Sequence, residues 1–409
     1  MNNMDKIFFH IDVNSAFLSW SAVYRLSQGA DIDLRDIPSI IGGDREKRHG
    51  IVLAKSIPAK KYGIVTAEPI ANALRKCPKL VIEPPDFTIY SKMSRAMMDY
   101  LHTLTPDIEQ ASIDECYLDF TPIRHMYSSP EECALTIRDH IRENLGFTVN
   151  VGISDKKVLA KMASDFQKPD KTHTLYTYEI EKKMWPLPVG ELFLCGKSAR
   201  ATLKKLGIDT IGDLAKSDRS VIKANMKSHG DLLWEFANGI DDSVVVTEPD
   251  EIKGVGNSTT VEHDVTDRAE ASSVLSDLCE SVSNRLKKHG FRAGLVTVEI
   301  KYATFKSVSR QSVLNAPIYT AKALHEACMP LFDTLWNGEP IRLLGVRTSK
   351  LSDESEPVQL SLFDIDDSEG RMPEEIHDSL KEEKLEEALL KIREKFGKDA
   401  IRKGNIRDQ

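Results

Sequence analysis

Two stretches of the chain carry the same succession of apolar patterns, and that repetition limits the possible folds more than any single residue does. Residues 252–350 read as strand, helix, two strands, helix, strand. The helices are Asp267 to His289 and Pro317 to Trp336, and the strands include Arg292 to Tyr302, Lys306 to Leu314 and Ile341 to Ser349. In the first of these strands Val296, Val298, Ile300 and Tyr302 share one face while Thr297, Glu299 and Lys301 share the other. One sheet face therefore packs on helices and the other meets solvent or a ligand. Nearer the N-terminus, Lys6 to Val13 reads as a buried strand and Ser15 to Ser27 as the helix after it. Tyr90 to Leu104 is a second helix, and Ala111 to Phe120 is a hairpin with Asp114 and Glu115 at its tip. Pro130 to Asn144, Thr148 to Ile153 and Lys156 to Phe166 follow as helix, strand and helix. This is the split βαβ order of a ferredoxin-like sheet. Between Asp31 and about Leu80 it is interrupted by short apolar pieces broken at Pro38, Gly42, Gly43, Pro58, Gly63 and Pro69.

Trp185 to Leu187 reads as a linker into a helical unit that ends near Gly239. Within it, Leu203 to Leu214 has the form of a helix end capped by Gly207, a short turn and a new helix start. Such a turn aims backbone amides at phosphates, and a bare helical hairpin explains the same string. The six cysteines are scattered and the histidines form no metal-binding pattern, so neither a disulfide scaffold nor a zinc site is supported, and a reducing cytosol is expected. No apolar run approaches the length of a membrane span. With 409 residues and 41% hydrophobic content the chain has room for two to four globular domains. The net charge of −8 resides almost wholly in residues 351–409, which hold 10 Lys+Arg against 17 Asp+Glu. A near-neutral body can still carry a basic groove, so net charge leaves a nucleic-acid partner open.

Asp12 stands at the C-terminal end of the first strand, and the hairpin turn lets Asp114 and Glu115 converge toward it. Taken singly, each acid reads as a solvated loop residue. Three carboxylates at one point repel unless a cation neutralises them, and hard oxygen ligands of this kind suit Mg²⁺.

The flanking residues are more specific. Asp12-Val-Asn-Ser-Ala-Phe17, Ser112-Ile-Asp-Glu-Cys-Tyr-Leu-Asp119 and Leu159-Ala-Lys-Met-Ala-Ser-Asp-Phe-Gln-Lys-Pro169 resemble the motifs of the Y family of DNA polymerases, the bacterial UmuC/DinB-like translesion enzymes. The resemblance implies a multidomain α+β right-hand polymerase. Its ferredoxin-like palm would occupy residues 1–30 and 81–184, small fingers 31–80, a helix-hairpin-helix thumb 185–243 and a βαββαβ little finger 250–350. An acidic tail, 351–409, follows. The implied activity is template-directed, low-fidelity transfer of a dNTP to a primer 3′-hydroxyl in DNA repair and damage tolerance, in the cytoplasm, with the protein nucleoid-associated when engaged on DNA.

By the same resemblance Asp12, Asp114, Glu115 and the main-chain carbonyl of Val13 hold two Mg²⁺ ions. Ser15, Ala16, Phe17, Lys60, Tyr90 and Lys168 surround the nucleotide, with Phe17 as the gate that excludes a ribose 2′-hydroxyl. Ile57 and Lys60 stand where many members have Tyr and Arg, and Asn14 where the DinB branch has an acid. Gly207 and Gly212 are expected to bind DNA phosphates through the thumb hairpin, and Lys301 and Arg310 through the little finger. Gln359-Leu-Ser-Leu-Phe-Asp364 resembles the peptide by which bacterial polymerases bind the sliding clamp, with Gln359, Leu360, Leu362 and Phe363 as anchors. Ile41 to Glu46 is similar to a cyclic-dinucleotide synthase signature, but it lies in the insertion and reads as a turn. The alternatives are a catalytically silent DNA-binding factor of the same fold and a nucleotidyl cyclase.

Overall fold

Strand β1 (Phe8–Val13) sends Phe9, Ile11 and Val13 to one face and Phe8, His10 and Asp12 to the other. The surrounding sheet follows from that alternation. In the computed structural model, which describes residues 6–43, 50–248 and 251–353, the chain divides into two units, 1–250 and 251–409. In the first unit β1 leads into α1 (Ala16–Ser27) and then into a small sheet. The small sheet comprises β2 (Ser39–Gly42), β3 (Val52–Lys55) and β4 (Val81–Glu83), with α2 (Ile57–Lys61) and α3 (Ile70–Lys76) between β3 and β4. Because β4 pairs with β2, Ser39 opposite Val81, the insertion expected to end at residue 80 runs on to Glu83.

The chain returns through α4 (Phe87–His102), β5 (Ile108–Gln110), β6 (Glu115–Asp119), α5 (Pro130–His140), β7 (Val149–Ser154), α6 (Lys157–Ser164) and β8 (Thr172–Thr174). The larger sheet has the order β5-β6-β1-β7-β8. Its first four strands are mutually antiparallel, the ferredoxin-like arrangement expected from the sequence, and β8 adds parallel to β7. On one face Phe9, Ile11 and Val13 join Met97, Leu101, Ile137 and Ile141 in a fully apolar core. Each such side chain contributes about 1.5–3 kcal/mol on burial. The other face takes α6. Gly152 lies opposite His10 on that face, and a Cβ there would stand 2.0 Å from the Ala160 carbonyl oxygen. Only glycine lets α6 approach β1 this closely, and that approach brings α6 side chains onto His10 and Asp12.

Beyond β8 come α7 (Ile180–Lys183), α8 (Lys197–Lys205), α9 (Ile211–Lys216) and α10 (Arg219–Ala237). Gly207, at φ +76°, ends α8 in the left-handed region as its sequence position predicts. Thr210 and Asp213 form a reciprocal cap at the start of α9.

The second unit contains β9 (Gly254–Val265), α11 (Arg268–His289), β10 (Phe291–Tyr302), β11 (Ser307–Ile318), α12 (Ala321–Leu335) and β12 (Ile341–Asp353). The element order matches the N-terminal one, yet the sheet closes as β11-β10-β12-β9, with the last strand rather than the first in the middle. Val296, Val298, Ile300 and Tyr302 face the two helices. Pro317, expected to open α12, instead ends the edge strand β11, where a missing N–H costs no ladder bond. The helix begins four residues later, at Ala321, capped by the Thr320 hydroxyl accepting from the Ala323 N–H.

Candidate active site

Asp12 on β1 pairs with Glu115 on β6 in directly opposed register, so both carboxylates leave the α6 face of the sheet side by side. The turn before Glu115 is pinned to β1. Val13 donates its N–H to the Asp114 carbonyl at 3.0 Å, and the Ala111 and Ser112 amides both donate to the Glu115 carbonyl at 3.1 Å. The Asp114 carboxylate accepts from the Ser112 hydroxyl at 2.7 Å.

Two lysines supply the compensating charge. Lys161 on α6 places its ammonium 2.7 Å from Glu115 Oε2 and 3.9 Å from Asp12 Oδ1, and Lys168 hydrogen-bonds Asp12 Oδ2. Beneath them His10, fully buried, points Nδ1 at the Ser164 hydroxyl at 2.8 Å. Its Nε2 lies 3.3 Å from Glu115 Oε2. His10 and then Lys161, against the opposing effect of burial, hold the Glu115 carboxyl down to about 2. Burial pushes the Asp12 carboxyl above its ordinary range against the pull of Lys168 and Lys161, and it pushes the His10 imidazole below its own.

Asp12 and Asp114 line one cavity of about 270 Å³ together with Val13, Ser15, Ala16, Phe17, Lys55, Thr66 and Lys168. Ser15 adopts a left-handed conformation at φ 48° and caps α1 without a side-chain hydrogen bond, so its own hydroxyl leaves the first-turn amides open. Phe17 stacks on Tyr90 at 4.5 Å with the rings 8° from parallel, and Phe87 meets both rings edge-on. Four of the six residues expected around a nucleotide, Ser15, Ala16, Phe17 and Lys168, thus share the cavity. Tyr90 is fully buried behind Phe17, with its hydroxyl 3.0 Å from that of Ser21, and acts on the cavity only through Phe17. Lys60 is exposed on α2.

The three acids expected to share metal ions are only partly gathered. Among the described residues no three His, Cys, Asp or Glu side chains are arranged to enclose a metal ion, because Glu115 turns from the cavity toward Lys161 and His10. Asp12 and Asp114 do present hard oxygen donors on the cavity wall, and the cations against Asp12 and Glu115 mark where positive charge is required. The donor set therefore suits a hard divalent ion.

Asn14 is a buried strut. It accepts from the Thr148 hydroxyl and the Asp170 N–H and donates to Asn150 Oδ1, which fixes the loop that carries Lys168. His10, Lys161, Asn14 and Asn150 were not singled out as site residues by the sequence. The period-2 relation of His10 to Asp12 was the available signal.

Three of the expected DNA contacts are corrected. Gly212 donates its amide to the Trp185 carbonyl at 3.0 Å, and Gly207 donates to Lys204 O at 3.1 Å, so neither N–H is free for a phosphate. The start of α9 already carries the Asp213 carboxylate, 2.9 Å from the Thr210 N–H. Arg310 pairs with Val298, so it stands exposed on the helix side of the edge strand β11 and not on the open face. Lys301 does lie on the open face. The residue that joins it there is Arg347, opposite Thr297. A concavity of about 570 Å³ on that face is lined by the small residues Gly254, Gly256, Ser258, Thr297 and Gly345, which admit close approach of a ligand, together with Arg285, Glu299 and Arg347.

A ferredoxin-like sheet with paired acids on its central strands, beside a cavity with an open helix N-terminus, defines a nucleotidyl-transfer enzyme of the polymerase class. Residues 11–165 match the impB/mucB/samB family and residues 252–362 its C-terminal domain. The chain is 47% identical over 97% of its length to a DNA polymerase IV of Clostridium acetobutylicum, 97% of which is covered. It is 35% identical to DNA polymerase IV 1 of Bacillus subtilis, over 99% of this chain and 94% of the relative. A Y-family DNA polymerase chimera of solved structure, 21% identical, superposes with a TM-score of 0.73 over 84% of this chain and 99% of its own. The chain belongs to the impB/mucB/samB family, the bacterial Y-family DNA polymerases. Its activity is DNA-directed DNA synthesis of the translesion type, a metal-dependent nucleotidyl transfer that uses DNA and dNTPs. No helix among the described residues is long and apolar enough to cross a membrane.

Proposed function

We propose that the cavity beside β1 binds the incoming dNTP, and that Asp12, Asp114, Glu115 and the Val13 carbonyl are the ligands of two Mg²⁺ ions. The observation that carries this reading is the meeting of Asp12 and Asp114 with the α1 N-terminus, Phe17 and Lys168 in one cavity. When bound, such ions lower the pKa of the attacking hydroxyl and neutralise the triphosphate. The residues of the chain supply position and charge. The first amides of α1, at Ser15, Ala16 and Phe17, face the phosphates along the positive end of the helix dipole. Lys168 adds a point charge, and Lys60 extends the positive field from α2. Phe17, held flat by Tyr90, lies under the sugar. His10 and Lys161 fix the direction of Glu115, and Asn14 holds the Lys168 loop.

In this reading the larger sheet is the palm, the insertion from Asp31 to Glu83 the fingers, the helical segment 185–243 the thumb and the second unit the little finger. Duplex DNA would run along the open face of the second sheet, touched through its phosphates by Lys301 and Arg347, which gives salt-sensitive and sequence-independent binding. The protein would act in the cytoplasm. Primer extension on templated DNA with dNTPs and Mg²⁺ tests the reading. Additions dictated by the template are expected, and a lesion in the template then measures bypass. Well-folded protein that binds primer-template yet adds nothing would point to a silent DNA-binding factor, and product formed without template to cyclase-type chemistry.

The peptide Gln359 to Phe363 lies outside the described residues. Its composition supports docking on the sliding clamp, with Gln359 in a polar notch and Leu360, Leu362 and Phe363 as apolar anchors. Deleting residues 359–363 is expected to remove stimulation by the clamp while sparing basal extension. Loss of both would assign the segment to the fold instead.

A further inference from the structure

Lys55 is the last residue of β3, and its side chain lines the cavity shared by Asp12, Phe17, Asp114 and Lys168. Its ammonium donates to the Thr66 hydroxyl at 3.1 Å, and among the described residues no carboxylate lies within ion-pair distance of it. Lys168, the other cavity cation, is committed to Asp12 and Asp165. Burial depresses the Lys55 pKa and the nearby charge of Lys60 depresses it further, with Glu68 only partly offsetting them. A half-buried ammonium next to a second lysine, with no carboxylate among the described residues at ion-pair distance, is electrostatically unfavourable unless an anion completes the site. Ile57, on the adjoining turn of α2, offers no donor of its own.

We propose that Lys55 is a further anchor for the polyphosphate of the incoming nucleotide, a contact that the sequence motifs did not assign. The assignment rests on the reading of this cavity as the dNTP site. Phosphate oxygens are the matching ligand because an ammonium is a compact point charge whose strongest hydrogen bonds go to anionic oxygen. Two of its three donors remain after the Thr66 contact. The small sheet that carries Lys55 also carries α2 and Lys60, so the insertion contributes its charge to the nucleotide as a group.

Steady-state single-nucleotide insertion by the full chain on primer-template tests this with Lys55→Met, which keeps the aliphatic stem, Lys55→Arg, which keeps the charge, and Lys168→Met in parallel. Pyrophosphate inhibition is measured for each. Lys55→Met is expected to raise KM for dNTP about tenfold with kcat within about twofold, and to weaken pyrophosphate inhibition to a similar degree. Lys55→Arg is expected to recover most of both, and an unchanged thermal midpoint in both variants excludes a folding defect. Unchanged KM and unchanged pyrophosphate inhibition in Lys55→Met, with Lys168→Met altering both, would overturn the role of Lys55 alone. A raised KM with pyrophosphate inhibition untouched would overturn it too, because the contact would then be to base or sugar. If neither lysine substitution moves either quantity, the cavity is not the nucleotide site and the underlying reading falls with the proposal.

Discussion

Replacing Asp114 and Glu115 together by alanine is expected to abolish primer extension, a loss of about 10³-fold or more in kcat, with primer-template binding retained. The backbone of the hairpin survives the change, because its main-chain bonds, Val13 N–H to Asp114 O and the Ala111 and Ser112 amides to Glu115 O, involve no side chain of the two acids, and only the Ser112 hydroxyl loses its bond to Asp114 Oδ1. What disappears is the pair of carboxylates proposed to hold metal ions with Asp12. Lys161 then loses its 2.7 Å partner and His10 its 3.3 Å contact. Some stability goes as well. A carboxyl held down to about 2 in the folded chain, against an ordinary value of 4.5, stabilises the fold above pH 4.5, and that contribution fades as pH falls toward 2. The double variant should therefore unfold at a lower temperature than the native chain at neutral pH, with a smaller difference in strong acid. Asp114→Asn separates the two effects, since it leaves Glu115, Lys161 and His10 in place and should still extend poorly. Extension by the double variant within tenfold of the native rate, measured on the same primer-template, would remove these acids from the reaction.

The parts of this arrangement that could be read in advance are those governed by local periodicity. The apolar run of Lys6 to Val13 marks a buried strand, the alternation along Arg292 to Tyr302 marks a strand and its buried face, and the order of elements marks the ferredoxin-like sheet. Strand register is a different matter. Nothing in the sequence of β11 says that Arg310 pairs with Val298 rather than with Thr297, and one residue of shift carries a side chain to the opposite face. The same gap hides Arg347, which reaches the open face because it pairs with Thr297. The small sheet of the insertion leaves no mark in the sequence because its strands are three or four residues long and show no period. Lys55, Lys161 and His10 are illegible in the sequence for another reason. Lysines are mostly exposed and a buried histidine is mostly packing, so their roles emerge only when the close contact at Gly152 brings α6 onto the acidic face, or when the insertion shares a cavity with β1. Gly212 shows the converse, because a glycine at a helix start suggested an open amide while its neighbour Trp185 had already taken it.

Replacing Phe17 by alanine is expected to raise ribonucleotide insertion relative to deoxynucleotide by about 10²-fold or more, a larger change than any loss of dNTP use. Discrimination by exclusion requires that the excluding group cannot retreat, and the surroundings of Phe17 meet that condition. One ring face lies against Tyr90 at 4.5 Å and 8°, Phe87 abuts its edge at 5.8 Å, and Trp20 stands 6.2 Å away. Tyr90 is itself fixed, fully buried and bonded through its hydroxyl to Ser21. A 2′-hydroxyl pressing on Phe17 therefore pushes against a close-packed aromatic stack rather than a free side chain, and interiors packed this densely yield only at a cost of about 1–3 kcal/mol. Alanine removes the ring and opens the space above Tyr90, so the ribose hydroxyl meets no wall. The amide of residue 17 is unchanged, which is why dNTP insertion should fall less than ribonucleotide insertion rises. The check is the ratio of kcat/KM for a dNTP and its matching rNTP on one primer-template, with Phe17→Tyr alongside as a variant that keeps the ring. An alanine variant whose ratio equals that of the native chain would show that Phe17 is packing alone and that sugar selection resides elsewhere in the cavity.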